Sequence, residues 1–198
     1  LQSLFENAAL HSPPPLISLM QQLHQQYPFD IGVIIGPVFL NYIQLKPGES
    51  LFLAANEPHA YLDGNCIECM ACSDNVVRAG LTPKLRDAQT LCAMLTYQPN
   101  KPNIDDGQHH SRSSKSPLIR EYRPPIKEFR VLSVSLNNNQ ASIVLDDVAL
   151  LLVVDNASSS PLIINNTHKA SKGSAFFIDA NQHNPQTIKL HCEKNSLV

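Results

Sequence analysis

Residues 48–56 read Gly48-Glu49-Ser50-Leu51-Phe52-Leu53-Ala54-Ala55-Asn56, and residues 173–181 read Gly173-Ser174-Ala175-Phe176-Phe177-Ile178-Asp179-Ala180-Asn181. The stretches align without a gap, pairing Gly48 with Gly173, Phe52 with Phe177, Ala55 with Ala180 and Asn56 with Asn181. A nine-residue match can arise by accident, but its separation by about one small domain is better explained by duplication of a β unit. The glycine has a specific task in the first copy. In Lys46-Pro47-Gly48-Glu49, proline sets φ near about −65° and glycine accepts positive φ, so a type II turn is predicted ahead of a strand. If the units are duplicated, the position matching His59 in the second copy is Asn184, and the two copies are expected to differ in their capacity to bind metal.

Upstream, Leu16, Leu19, Met20 and Leu23 recur at helical spacing after Pro13-Pro14-Pro15, and Tyr27-Pro28 ends the pattern. From Ile31 to Ala79 the chain turns to short apolar runs broken by turn residues, which is strand composition. A second helix is predicted where Leu85, Ala88, Leu91, Cys92 and Leu95 share a face behind Asp87 as N-cap. Between Pro99 and Pro117 the one large aliphatic residue is Ile104, so residues 99–117 read as a polar linker. Beyond it, Phe129–Leu136, Ser142–Leu145, Val148–Val154, Leu162–Ile164, Ala175–Ile178 and Thr187–Leu190 predict a second all-β unit.

With 198 residues and 43% hydrophobic content, the chain can bury one sizeable core or two small ones. A net charge of −2, from 15 Lys plus Arg against 17 Asp plus Glu, gives no footprint for nucleic acid or an acidic membrane surface. Ile31–Leu40 and Val148–Val154 are too short to span a bilayer. The opening Leu1-Gln2-Ser3-Leu4-Phe5-Glu6 has no initiator Met and no signal-peptide features, so the chain is expected to be a fragment. Five cysteines, three of them crowded as Cys66, Cys69 and Cys72, do not form a disulfide framework and point to a reducing, cytoplasmic setting.

Leu53–Tyr61 ends an expected strand and presents His59 just after Pro58, whose ring restricts the backbone before it. A rigidly presented imidazole suits a metal site, but with no second His, Glu or Asp at the usual short spacing, the spacing alone favours a partly buried, satisfied histidine. Asp74-Asn75-Val76-Val77-Arg78-Ala79-Gly80-Leu81-Thr82-Pro83-Lys84 gathers an acid and two bases around a Gly and a Pro. That composition can grip a phosphate or an anionic intermediate, or form a salt-bridged loop. The Cys66, Cys69 and Cys72 spacing imitates a metal motif. On a strand, however, residues three apart point to opposite faces, so these thiols are expected to pack in the sheet as free cysteines. His109-His110 lies in the polar linker and needs no function there.

Leu45–Gly64, then Glu68–Asn75, then Val77–Lys84, in that order, closely resemble type I phosphomannose isomerases of the animal and fungal kind. The likeness continues more faintly through Tyr122-Arg123-Pro124-Pro125 to the C-terminus. The resemblance implies a mainly β fold of two cupin, or jelly-roll, units, the first only its C-terminal half, with a short N-terminal helical segment. In that reading residues 1–30 end a helical insertion, 31–98 are the C-terminal half of the catalytic cupin plus a helix, 99–117 link, and 118–198 form the second cupin.

The implied activity is interconversion of mannose 6-phosphate and fructose 6-phosphate through an enediol at a zinc site, in carbohydrate metabolism feeding GDP-mannose biosynthesis. By position, His59 resembles the zinc ligand, Arg78 the arginine that stabilises developing charge, and Asp74, Tyr61 and Lys84 pocket residues. Lys84 is then the phosphate contact, and Asp74 orients Arg78 or assists proton transfer. One zinc ion is implied, with its other ligands, a Gln-x-His pair and a Glu, expected upstream. Gln22-Leu23-His24 has the letters of that pair but falls in the predicted helix. The isolated chain is therefore expected neither to hold zinc tightly nor to isomerise. Expected partners are a sugar phosphate, with no nucleic acid or membrane, and the complete protein is expected to be a monomer. The alternative is a non-catalytic cupin module that binds a sugar or a protein.

Overall fold

The predicted N-terminal helix forms as α1, Pro14–Gln26, and its apolar stripe is the reason. Met20 and Leu23 are buried, and Val33 from a second helix, α2 (Gly32–Phe39), closes on them. Leu16, Leu19, Tyr27, Leu62 and Leu81 pack around these three. Each fully buried side chain of this kind contributes about 1.5–3 kcal/mol relative to exposure, so the cluster is small but sufficient to hold two helices together. The computed structural model describes residues 14–73, 76–99, 101–109, 119–136, 140–155 and 161–192. The chain divides into two units, Leu1–Asp106 and Gly107–Val198.

In the first unit α2 occupies residues whose composition predicts strand. Gly32-Val33-Ile34-Ile35 is β-branched and apolar, yet Asp30 Oδ1 accepts the Gly32 N–H at 2.8 Å and starts the turn. Val33 then gains burial that outweighs a weak local preference. Pro37 lies inside this helix and cannot donate to the carbonyl four residues back, and α2 ends soon after at Phe39. Of the other residues between 31 and 79, the ones in a described strand are β1, Ser50–Leu51, paired antiparallel with β2, Ile104–Asp105. The other described residues of that stretch run without a ladder, because strand-forming residues make a sheet only where a neighbour supplies hydrogen bonds. Cys66–Cys72 is part of it, so the expectation of thiols alternating across a sheet is overturned: Cys66, Cys69 and Cys72 are exposed. The predicted second helix is α3, Ala88–Met94, with Asp87 as N-cap accepting from Thr90 N–H at 3.0 Å. Leu85 precedes the cap and is exposed rather than on the helix face.

The second unit starts within the polar stretch with β3, Gln108–His109, which pairs with β4, Ile119–Tyr122, itself paired with β5, Val131–Val134. Short polar strands persist there because one antiparallel neighbour satisfies their backbone without apolar burial. His110 lies outside the described residues. A four-stranded sheet has the order β6 (Gln140–Leu145), β11 (Gln186–Cys192), β8 (Leu162–Ile164), β9 (His168–Ala170). Its register sets Ile188 opposite Ile143, Leu190 opposite both Ala141 and Ile164, and Leu162 opposite Ala170. Alternation puts Ala141, Ile143, Leu145, Ile188 and Leu190 on one buried face, where Ile119, Val153, Ile164, Ala170 and Ala180 complete the core. The last pair is β7 (Ala149–Leu152) with β10 (Ala175–Ile178), whose facing residues Leu150 and Phe177 are exposed.

The aligned stretches share a construction. Gly48 and Gly173 both hold φ at 87°. Glu49 N–H donates to Lys46 C=O at 3.0 Å and Ser174 N–H to Ser171 C=O at 2.9 Å, the same turn at the entrance to β1 and β10. Eleven strands and three helices make the described residues mainly β, and none of those helices is long and apolar enough to cross a membrane.

Candidate functional site

His59 follows Pro58 in an exposed, extended segment. Its Nδ1 lies 2.9 Å from the carbonyl oxygen of Glu57. A carbonyl only accepts, so Nδ1 donates to it, and in the neutral imidazole the lone pair then sits on Nε2, one of the two nitrogens through which histidine binds a metal. The His59 ring meets Tyr61 edge to face, with centroids 5.9 Å apart. Tyr61 in turn donates its hydroxyl to Glu68 Oε1 at 2.7 Å. Burial of the hydroxyl, that hydrogen bond and the Glu68 charge push the phenol up to about 12, so Tyr61 is a neutral donor already engaged. Glu68 lies inside a block that the resemblance identifies, yet spacing assigns it no role; the signal was a carboxylate seven residues from a pocket tyrosine.

Arg78 is half-buried and Lys84 exposed on the following loop. Between them the chain is anchored at Gly80 and Leu81. A Cβ at Gly80 would lie 3.1 Å from Asp30 Oδ1 and 3.5 Å from Gly32 Cα, so the backbone passes where a side chain does not fit freely. Leu81, at φ 52°, packs on the Met20–Leu23–Val33 cluster. Lys84 N–H donates to Thr82 Oγ1 at 3.2 Å, which shapes the last turn of the loop. Asp74 lies outside the described residues.

Leu62, next to Tyr61, packs on that same helical cluster as Leu81. The two halves of the candidate site therefore hang from one small core, although among the described residues no hydrogen bond, ion pair or ring contact joins His59, Tyr61 or Glu68 to Arg78 or Lys84. The donor set does not make a complete zinc site: among the described residues no three of His, Cys, Asp and Glu come together to hold a metal. Among the described residues His59 has no ligand companions.

No family model matches the chain. Its sequence is 45% identical over 189 residues to mannose-6-phosphate isomerase of Bos taurus, covering 91% of this chain and 43% of that protein. It is 42% identical over 180 residues to mannose-6-phosphate isomerase 2 of Arabidopsis thaliana, covering 87% and 37%. Over those spans the chain is similar to mannose-6-phosphate isomerases. Among solved structures, the Salmonella typhimurium mannose 6-phosphate isomerase bound to fructose 6-phosphate and zinc aligns with a TM-score of 0.65 at 21% identity, over 97% of this chain and 49% of that one. A variant of the same bacterial enzyme aligns at 0.70 and 25% identity, over 97% and 47%. The structural likeness carries the fold. The chain spans less than half the length of the relatives it matches.

Proposed function

We propose that this chain supplies part of the active site of an enzyme that isomerises mannose 6-phosphate and fructose 6-phosphate. The observation that carries the proposal is 45% identity over 91% of the chain to a mannose-6-phosphate isomerase. It is supported by the presentation of His59 and Tyr61 beside Leu62 and of Arg78 and Lys84 around Leu81, both anchored on one core. In this reading Arg78 donates to the substrate oxygen on which charge builds as a proton leaves one of C1 and C2 and is returned to the other. Lys84 meets the phosphate, and Asp74 orients Arg78 or assists the proton transfer. Tyr61, held by Glu68, borders the pocket. His59 offers one imidazole toward zinc, the metal bound in the solved Salmonella relative, with the other ligands outside these residues. The exposed, unpaired thiols of Cys66, Cys69, Cys72 and Cys92 favour a cytoplasmic location, and we take the complete enzyme to be a monomer.

The test is a chimera in which these residues replace the matching stretch of the Bos taurus relative, assayed for bound zinc and for coupled isomerisation. Turnover and zinc that both disappear with His59→Ala are the expected result. A folded chimera that holds zinc equally well without His59 overturns the ligand assignment. The chain by itself is expected to retain no stoichiometric zinc after dialysis. One zinc per chain, with turnover that His59→Ala abolishes, would show the site to be complete within these residues.

A further inference from the structure

Asp30 lies far in sequence from every residue of the candidate site, yet both ends of the Gly80–Arg86 loop converge on its carboxylate. Oδ1 accepts the Gly32 N–H at 2.8 Å and faces Gly80, where a Cβ would stand 3.1 Å away. Oδ2 accepts from Arg86 Nη1 at 3.0 Å. The Asp30 side chain is only 8% exposed while that of Arg86 is 46% exposed. A pair with one partner in solvent adds little to global stability, but a carboxylate this buried cannot be left without its cation cheaply. The loop is thus clamped on one side by close packing at Gly80 and on the other by the ion pair at Arg86. Lys84 sits between the clamps and Arg78 two residues before the first.

We propose that Asp30 is a positioning residue: through Gly80 and Arg86 it holds the segment that presents Arg78 and Lys84. The assignment rests on the reading of Arg78 and Lys84 as site residues, but the clamp itself is independent of substrate. Leu81 reinforces it from the apolar side by packing on Met20, Leu23 and Val33. Because Arg86 reaches Asp30 through a single nitrogen, an ammonium at the same place can substitute, whereas a neutral side chain of similar length cannot.

The experiment is backbone order by nitrogen-15 relaxation on the full chain, comparing the parent with Arg86→Lys, Arg86→Met and Asp30→Asn. Order parameters for residues 78–86 should stay near about 0.85 in the parent and in Arg86→Lys, and fall below about 0.6 in Arg86→Met and Asp30→Asn. Those of α1 should not change. Arg86→Met keeps the packing of the stem and removes only the charge, so it remains informative if Asp30→Asn fails to fold. Unchanged order in Arg86→Met, loosening of α1 along with the loop, or an Arg86→Lys variant as loose as Arg86→Met would each overturn the proposal. No substrate enters the measurement, so a negative result leaves the isomerase reading intact, and failure of the chimera leaves the clamp intact.

Discussion

Tyr61 and Glu68 share a hydrogen bond of 2.7 Å in a segment that is otherwise exposed. The bond exists only while the phenol is protonated, and the folded phenol is raised from 10.0 to about 12. A group whose folded value is raised contributes stability that is fully present below its unfolded value and lost as pH climbs through the folded one. The window here is therefore about 10 to about 12. Because Tyr61 is 62% exposed, solvent screens the effect and the expected change in stability is slight. An ultraviolet titration, with Tyr61→Phe subtracted to isolate this phenol, should give a raised midpoint that Glu68→Gln brings back toward 10.0. A midpoint indifferent to Glu68→Gln would mean that the bond does not hold the proton.

Arg78→Lys in the chimera should lower turnover on the order of a hundredfold, with a smaller effect on KM, because a point charge cannot reproduce forked donors at a developing oxyanion. Turnover within about threefold of the parent would remove Arg78 from the chemistry.

The exposed thiols of Cys66, Cys69, Cys72 and Cys92 should react with a disulfide reagent in the native chain, ahead of the half-buried Cys192. Replacing Cys66, Cys69 and Cys72 by Ser should leave the zinc content of the chimera unchanged. Stoichiometric loss of zinc on that replacement would make them the ligands.

Gly173 and Gly107 both have positive φ but differ in surroundings. Nothing stands within 4 Å of a Cβ at Gly173, so Gly173→Ala should cost only the backbone term, about 1–2 kcal/mol in urea unfolding. At Gly107 the same Cβ would lie 2.8 Å from Tyr122 Cε1, and Gly107→Ala should cost distinctly more. Equal midpoints for the two variants would show that Tyr122 gives way freely.

The turn at Gly48, the α1 stripe, the Asp87 cap and strands β6, β7, β8, β10 and β11 were legible in sequence because each depends on local chemistry or a two-residue period. What was not legible depends on partners. Val33-Ile34-Ile35 reads as strand until the buried Asp30 and the Met20 cluster decide for helix. Strand β9 carries little apolar pattern, and its signal was Asn165-Asn166, which hold φ at 49° and 62° and turn the chain out of β8. Within the candidate site, His59, Tyr61, Arg78 and Lys84 came from family blocks, whereas the Glu68 contact and the Asp30 clamp exist only in three dimensions.

One consequence of Leu62 and Leu81 resting on a common three-residue core concerns inheritance. A conservative change at Leu23 or Val33 would shift the segments that follow Tyr61 and Gly80 together, although neither residue belongs to the candidate site. In a genetic screen such alleles would look like lesions of the proposed site residues themselves. Their signature would be suppression by a second, compensating change in size on the opposite helix, which no true loss of Arg78 could show.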